Sequence, residues 1–213
     1  MKFGSHPSDL LLLGLSLVCF ALGWVFVEIG TVVAEGKLTV IDGMVRSFAQ
    51  EHQSAAATRF FGFISMLGSK PVLAVTGIVA GWWLSRHSKV MVVLLAVCAF
   101  AAAEFVDLLK ETFMVTRPPT AAATSRSFAF PSGHVSSVAA IATMLAYVSW
   151  RRKKYPALII AGGVMLVALM AMSRVYLDKH WASDTVGGIL IGMAIGFACN
   201  ALYEWTTLRH IDS

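Results

Sequence analysis

The sequence predicts an all-α integral membrane protein with six transmembrane helices, and three observations support this prediction. Hydrophobic residues make up 57% of the 213-residue chain and charged residues only 14%, against about 25% charged residues in soluble domains. The mean hydropathy is +0.73, and a soluble core of this size could not bury so much apolar surface. The apolar residues also fall in runs close to the roughly 20 residues with which a helix crosses a bilayer.

Six apolar runs are separated by short polar segments. They cover residues 10–27, 59–84, 90–109, 135–150, 155–172 and 185–203. The second run is interrupted at 68–71 by Gly-Ser-Lys-Pro, so it is either one kinked helix or a short helix followed by a span that begins at Pro71. No linker is long enough to separate domains, so we expect residues 1–213 to form a single membrane-embedded domain.

The first run, 10–27, has to be distinguished from a cleaved secretory signal. Its 18 uncharged residues are long for a signal core. No cleavage site of the A-x-A form, with its small residues, is evident. We therefore expect an uncleaved membrane anchor.

Basic residues of the short loops predict the orientation in the membrane. They concentrate in the loops 85–89 and 151–154 and at the termini, at Lys2 and Arg209. Six crossings place all of these on one face, and basic loops usually stay in the cytoplasm. Segments 28–58, 110–131 and 173–184 then lie on the opposite, extracytoplasmic face.

The segment 40–57 on the extracytoplasmic face has apolar residues at helical spacing. Ile41, Met44, Val45 and Phe48 fall on one side of a helix. We expect a short amphipathic helix between spans one and two that lies along the membrane surface.

Composition disfavours two classes of protein. The net charge of +5 is small and falls mostly between apolar runs, which fits membrane orientation better than nucleic-acid binding. The three cysteines, Cys19, Cys98 and Cys199, lie inside apolar runs. Their odd number and placement argue against a disulfide framework.

Three polar clusters lie at helix ends on the extracytoplasmic face, far apart in the sequence. Their members are Lys110 and Arg117; Ser132, Gly133 and His134; and Arg174, His180 and Asp184. Since the helix ends share one depth, packing of the helices can bring the clusters together.

These clusters carry groups that bind a phosphate-sized dianion. The two arginines offer planar forks for phosphate oxygens, and Lys110 offers a point charge. Ser132 and Gly133 stand where a helix should begin, and its free N–H groups and dipole favour an anion. Gly133 also lets the backbone come close to a ligand.

The two histidines suit phosphoryl transfer. His180 and Asp184 are four residues apart, and on a helix they would share a face, where the carboxylate would fix the imidazole tautomer. His180 is then a candidate nucleophile towards phosphorus. His134, beside the expected phosphate site, is a candidate acid for the leaving oxygen. The His180–Asp184 pair could instead be half of a metal site.

Other charges and small residues lie near these clusters. Asp107 is three residues from Lys110 and could steady it, whereas Glu104 has no evident partner, and we expect both carboxylates to lie near the membrane interface in contact with water. We expect Asp178 to pair with Lys179, and the alternative is that these two charges tune the head-group preference. In the last span glycines recur every four residues, which favours close helix packing inside the protein over a dimer contact. They are Gly188, Gly192 and Gly196.

At the three clusters the chain resembles the type-2 phosphatidic acid phosphatase family of membrane lipid phosphatases, whose site soluble vanadium haloperoxidases share. The family pattern has three parts, K-x6-RP, PSGH and SR-x5-H-x3-D. The chain reads KETFMVTRP at 110–118, PSGH at 131–134 and SRVYLDKHWASD at 173–184. All three parts match in full and in order.

The resemblance implies a role for each of the eight residues. His180 would be the nucleophile that forms a phosphohistidine, with Asp184 as its orienting partner. His134 would protonate the leaving lipid alcohol and then activate water. The phosphate would be held by Lys110, Arg117, Ser132, Gly133 and Arg174. No metal or other cofactor is required.

The implied function is hydrolysis of a phosphomonoester or diphosphate of a membrane lipid at the extracytoplasmic face. Candidate substrates are phosphatidylglycerophosphate, undecaprenyl diphosphate and phosphatidic acid. The small size and tight loops indicate a bacterial inner membrane, with the site facing the periplasm or the outside. Two alternatives stay open: a lipid phosphotransferase with the same phosphohistidine, and a non-catalytic anion-binding or transport protein. No nucleic-acid partner is expected, and the sequence does not predict the oligomeric state.

Overall fold

Every secondary-structure element in the described part of the chain is an α-helix, as predicted. The computed structural model describes residues 7–84, 89–123 and 125–209. Its helices are α1 (Pro7–Ala34), α2 (Thr39–Glu51), α3 (Ala55–Leu67), α4 (Lys70–Leu84), α5 (Lys89–Phe113), α6 (Pro119–Ala122), α7 (Gly133–Arg151), α8 (Pro156–Tyr176) and α9 (Ala182–Arg209).

Three of the described helices are, by length and hydropathy, able to cross a bilayer. They cover Asp9–Ala34, Pro156–Tyr176 and Ala182–Thr206 and correspond to predicted spans one, five and six. Helices α5 and α7 lie on predicted spans three and four. The apolar helices are confirmed, and the count of six crossings stays a prediction.

The second predicted span is divided into two helices, α3 and α4. Gly68 ends α3, and its N–H bonds back to the carbonyl of Ser65 at 3.2 Å. A side chain at position 68 would come within 2.6 Å of the Met170 side chain, so the break lies where α8 passes closely. Helix α3 packs on α8 and α4 packs on α5, so the two halves of the second run contact different helices.

Helix α7 lies at the centre of the bundle and packs against α4, α5, α8 and α9. The glycine repeat of α9 faces it. A Cβ at Gly192 would collide with the carbonyl oxygen of Ser136, and a Cβ at Gly196 would come within 2.7 Å of Thr143 Cβ. The repeat therefore serves internal packing, as predicted, and it sets α9 directly against α7.

The predicted amphipathic segment contains a helix, α2, which ends at Glu51 rather than at position 57. Residues from Ala55 onward already belong to α3. The side chains of Ile41, Met44 and Phe48 are 58%, 68% and 64% exposed. The apolar face of α2 therefore points away from the protein, and its placement on the extracytoplasmic surface stays a prediction.

Basic side chains lie together at the end of the bundle where α4, α7 and α9 end. Arg151 Nε of α7 donates to Glu204 Oε1 of α9 at 2.8 Å. Lys154 Nζ lies 4.5 Å from the centre of the Trp83 ring at the end of α4. These contacts bring the C-terminal ends of α4, α7 and α9 together. Lys2 and most of the basic loop 85–89 lie outside the described residues.

Candidate active site

Residues of all three polar clusters line one cavity of about 200 Å³. Its walls are formed by Gly68, Lys70, Asp107, Lys110, Arg117, Gly133, His134, Ser137, Arg174 and His180. Six of the eight predicted site residues are among them. The other two, Ser132 and Asp184, are fully buried beside residues of the wall. Helix packing therefore brings the clusters together despite their separation in the sequence.

His180 and Asp184 are in contact, although they do not share a helix face. Helix α9 begins at Ala182, so His180 lies in the preceding loop and Asp184 in the first turn. His180 Nδ1 is 3.2 Å from Asp184 Oδ2, which also accepts the N–H of Trp181 at 2.8 Å. With the carboxylate accepting the Nδ1 proton, Nε2 keeps a lone pair.

Arg117 is held rigidly next to that lone pair. Its Nε and Nη2 donate to the carbonyl and hydroxyl oxygens of Ser127 at 2.7 and 2.9 Å. Its Nη1 donates to the carbonyl of Lys179 at 2.9 Å and lies 3.3 Å from His180 Nε2. An anion bound in front of the imidazole ring would therefore contact both the Arg117 guanidinium and His180 Nε2.

Arg174, at the end of α8, lines the same cavity. Its Nη1 donates to Ser65 Oγ at 2.6 Å. Its carbonyl accepts the N–H groups of Lys179 and His180 at 3.0 and 3.2 Å. The side chain of Arg174 therefore links α8 to α3. Its backbone carbonyl holds the loop that contains His180 against the end of α8.

The start of α7 presents bare backbone to the cavity. A Cβ at Gly133 would meet nothing closer than Val106 at 3.6 Å and Lys110 Nζ at 3.9 Å. Both are ordinary contacts, so packing within the protein does not require glycine here. Ser132 precedes this helix, and its hydroxyl makes no capping bond. An open approach to these N–H groups is what a bound anion needs.

Several buried polar atoms at the site have no partner within the described ranges. In the described part of the chain five buried side-chain nitrogen or oxygen atoms lack one, and three of them are Ser132 Oγ, Arg174 Nε and Asp184 Oδ1. Unpaired buried polar atoms are rare, because each costs about 1–3 kcal/mol. Ser132 Oγ and Arg174 Nε are both donors suited to an anion.

Burial and charge keep His180 neutral. Burial lowers the pKa of His180 well below its ordinary value of 6.5, and the nearby Arg174, Arg117 and Lys110 side chains lower this pKa further. Burial also lowers the pKa of Arg117, which starts high enough for the guanidinium to stay charged. The site therefore combines an uncharged imidazole with several cations.

The remaining expected ion pairs are partly confirmed. Asp107 Oδ1 accepts from Lys110 Nζ at 2.7 Å, the contact that the sequence left possible, and the Asp107 side chain is also 53% exposed. Glu104 has a partner that the sequence did not reveal, Lys70, with 3.5 Å between Nζ and Oε1. Lys70 also lines the cavity. Its signal in the sequence was its place in the Gly-Ser-Lys-Pro interruption of the second run.

The expected pairing of Asp178 with Lys179 is wrong. Asp178 accepts from Arg46 Nε at 2.7 Å and from Arg46 Nη2 at 3.0 Å. Arg46 belongs to α2, 132 residues earlier in the chain. Neighbouring residues in a tight loop point in different directions, and the guanidinium of α2 offers a bidentate partner.

The surroundings of the His180–Asp184 pair are cationic. Within the described ranges, no group of three or more His, Cys, Asp or Glu side chains is arranged to hold a metal ion. The side chains facing His180 across the cavity are instead those of Lys110, Arg117 and Arg174.

Comparison with known proteins decides the family. Residues 89–208 match the family model described as the PAP2 superfamily. The chain belongs to the PAP2 superfamily. The predicted resemblance to type-2 phosphatidic acid phosphatases is thereby confirmed, and the match includes all eight predicted site residues.

Relatives of this PAP2 protein include named phosphatases. Phosphatidylglycerophosphatase B of Bacillus subtilis (strain 168) is 30% identical over 149 residues, which are 66% of this chain and 72% of the relative. Putative undecaprenyl-diphosphatase YbjG of Escherichia coli (strain K12) is 37% identical over 81 residues, or 38% of this chain and 37% of that protein.

A solved structure shares the fold of this PAP2 protein. It is the crystal structure of a transmembrane PAP2-type phosphatidylglycerolphosphate phosphatase from Bacillus subtilis, with a TM-score of 0.78 and 21% sequence identity. The similarity covers 87% of this chain and 96% of the other, so it extends well beyond the family match. Together with the apolar helices, it makes the chain an integral membrane protein.

Proposed function

We propose that the chain is a lipid phosphatase that removes phosphate from a phosphomonoester or diphosphate of a membrane lipid through a phosphohistidine. One observation carries this proposal. His180 Nδ1 contacts Asp184, and His180 Nε2 faces Arg117 in a cavity that His134 also lines. A nucleophile, its orienting carboxylate, a second imidazole and anion-binding groups therefore meet in one place.

The first chemical step transfers the phosphoryl group to the enzyme. The non-bridging oxygens lie among Lys110, Arg117 and Arg174, with the Ser132 hydroxyl and the Gly133 N–H as further donors. His180 Nε2 forms a bond to phosphorus while the bond from phosphorus to the leaving oxygen breaks, which is the lipid oxygen of a monoester or the bridging oxygen of a diphosphate. His134 gives its proton to that oxygen. The cations stabilise the charge that spreads over the phosphoryl oxygens.

The second step returns the enzyme to its starting state. His134, now neutral, takes a proton from water, and the water oxygen bonds to phosphorus while the bond to His180 Nε2 breaks. Inorganic phosphate leaves, and His134 is again protonated. Asp184 stabilises the positive charge that the ring of His180 carries while it is phosphorylated.

Phosphatidylglycerophosphate, undecaprenyl diphosphate and phosphatidic acid are the proposed substrates. The names of the two relatives support the first two of these. The lipid tail would stay in the bilayer and enter between helices, while the head group reaches the cavity.

The proposed topology has six crossings in a single domain, residues 1–213, with the site on the extracytoplasmic side of a bacterial inner membrane. The basic side chains at the far end of the bundle, including Arg151 and Lys154, support a cytoplasmic location for that end. The site lies at the opposite ends of α7 and α8. Helix α2 lies on the same side as the site and rests on the membrane surface.

A phosphate-release assay with purified protein in detergent tests the function. The three lipids are compared for the wild type and for His180→Ala. We expect release from at least one lipid, its loss in the variant, inhibition by vanadate and no effect of EDTA. Full activity of His180→Ala would overturn the mechanism. Labelled phosphate that appears on an acceptor lipid instead of in solution would indicate the phosphotransferase.

A further inference from the structure

Helix α2 turns its polar side towards the protein. Asp42 is buried, whereas Met44 and Phe48 on the apolar side are exposed. A surface helix of a soluble protein has the reverse arrangement. An exposed apolar face suits the lipid of a membrane interface, and the inward polar face needs polar partners. Those partners belong to the chain between Tyr176 and Ser183.

Asp42 holds the start of α9. Its Oδ1 accepts the N–H of Ser183 at 2.9 Å, and its Oδ2 accepts the hydroxyl of Ser183 at 2.6 Å. The first N–H groups of a helix have no partner within it, and a carboxylate stabilises them. Asp42 of α2 therefore caps α9 through Ser183, the residue before Asp184.

Arg46 holds the loop on the other side of His180. Both of its bonds to Asp178 are short, at 2.7 and 3.0 Å, and the Asp178 side chain is only 5% exposed. Asp178 has a φ of 54°, in the left-handed region that few residues adopt without support. The bidentate pair fixes this turn two residues before His180.

Residues just after α2 add two more bonds to the end of α8. Gln53 Nε2 donates to the carbonyl of Tyr176 at 3.2 Å, and the N–H of Ser54 donates to the hydroxyl of Tyr176 at 2.9 Å. All of these contacts act on the segment 176–183 that contains His180. The segment is therefore held from both sides of the imidazole.

We propose that α2 positions the nucleophile, with Asp42 and Arg46 as positioning residues that hold the segment 178–183 so that His180 Nε2 points at the bound phosphorus. This inference rests on the proposed phosphatase function. Neither residue touches the reacting atoms, so both act through the loop. Displacement of a reacting group by about 1 Å can cost on the order of 100-fold in rate. We therefore expect the loss of either positioning residue to lower kcat rather than to raise KM.

The experiment compares single variants of the full-length protein in one detergent. Arg46→Lys keeps the charge but loses the bidentate geometry, and Asp42→Asn keeps the shape but loses the negative charge. We expect each to lower kcat about 10-fold or more, with KM within about twofold and the thermal midpoint close to that of the wild type. In single-turnover experiments the formation of phosphohistidine should slow to the same extent.

A double-mutant comparison tests whether Arg46 and Asp178 act as one unit. Arg46→Ala and Asp178→Ala should each slow kcat, and the double variant should be no slower than the worse single variant. Lys37→Ala is the matched control, because Lys37 forms an exposed ion pair with Glu35. Its kcat should equal that of the wild type.

The outcomes separate the two proposals. Wild-type kcat in Arg46→Lys and Asp42→Asn, or loss of activity only in proportion to the loss of folded protein, would overturn the positioning role and leave the phosphatase standing. A wild-type protein that releases no phosphate from any of the lipids would overturn both.

Discussion

Arg117 Nη1 lies 3.3 Å from His180 Nε2, and Asp184 contacts the opposite nitrogen of the same ring. A guanidinium carries hydrogen-bond donors and no acceptor. The nitrogen that faces it must therefore offer a lone pair, which is the form that the proposed attack on phosphorus requires. In the proposed mechanism the same guanidinium would bind an oxygen of the phosphate once the substrate enters, so Arg117 would orient both reaction partners.

Replacement of Asp184 by Asn should change the tautomer of the His180 ring without changing how the substrate binds. The amide can donate to Nδ1 and so favour the tautomer in which Nε2 carries the proton. We expect kcat to fall roughly 10²–10⁴-fold, by analogy with the carboxylate of serine-protease triads, with little change in KM. Steady-state phosphate release measures both constants. A variant with wild-type kcat would show that the carboxylate does not orient the nucleophile.

The depressed pKa of His180 predicts how activity depends on pH. Because burial and the neighbouring cations lower this pKa, the ring is still neutral in the free enzyme at pH values somewhat below 6.5. Lys110→Met removes one cation, so the pKa of His180 should rise and the acidic limb of kcat/KM should move to higher pH. The substrate's own ionisation affects both proteins equally. A limb that stays in place or moves down would contradict the assignment.

The same shift has a consequence for stability. The unfolded chain takes up a proton on His180 near pH 6.5, before the folded protein does. The contribution of this group to stability is therefore complete above about pH 6.5 and is lost as the pH falls through the lower, folded value. Thermal unfolding at several pH values measures this loss, which Lys110→Met should make smaller, because a higher folded pKa narrows the pH interval below about 6.5 over which stability is lost.

Gly133 in the cavity wall and Gly192 at the α7–α9 contact should respond differently to alanine. Gly133→Ala meets only ordinary contacts in the protein, so the fold should keep its thermal stability while phosphate binding weakens about 10-fold. Gly192→Ala would collide with the backbone of Ser136 and should lose on the order of 1–3 kcal/mol. Thermal unfolding and vanadate inhibition measure the two effects. A stability loss in Gly133→Ala would show that packing, not ligand access, selects this glycine.

The unpartnered hydroxyl of Ser132 should matter to the ligand alone. Ser132→Ala removes a buried polar atom that has no partner among the described residues, so stability should stay the same or rise slightly. The inhibition constant of vanadate should increase roughly 10-fold. Ser149→Ala is a useful contrast, because that hydroxyl donates to the carbonyl of Lys154 at 2.6 Å at the far end of α7. It should lose stability and keep its vanadate affinity.

Much of the helical fold could be predicted from hydropathy, because lipid-facing helices need long apolar runs. The division of the second run could not be resolved this way. Both halves are apolar, and at the break the Met170 side chain of α8 lies close to Gly68. Hydropathy reports the solvent around a helix and says nothing about which neighbour passes close to it.

The candidate site could be located from three short motifs because they fall at helix ends of one depth. Its supports could not be predicted in the same way. Arg46 and Asp178 are separated by 132 residues, and no local periodicity links them. Asp178 instead suggested its chain neighbour Lys179, since adjacency was the only available guide. The apolar face of α2 was visible in the sequence, whereas the partners of its polar face depend on tertiary packing.

The interlocked faces of α7 and α9 have a mechanical consequence. One helix carries His134 and the other carries Asp184, and the glycines at 188, 192 and 196 let the two backbones touch. This pair of helices should move as one rigid body. In the proposed function, the outer helices could then move apart in the bilayer to admit the substrate without altering the spacing between His134, the proposed proton donor, and the Asp184 carboxylate.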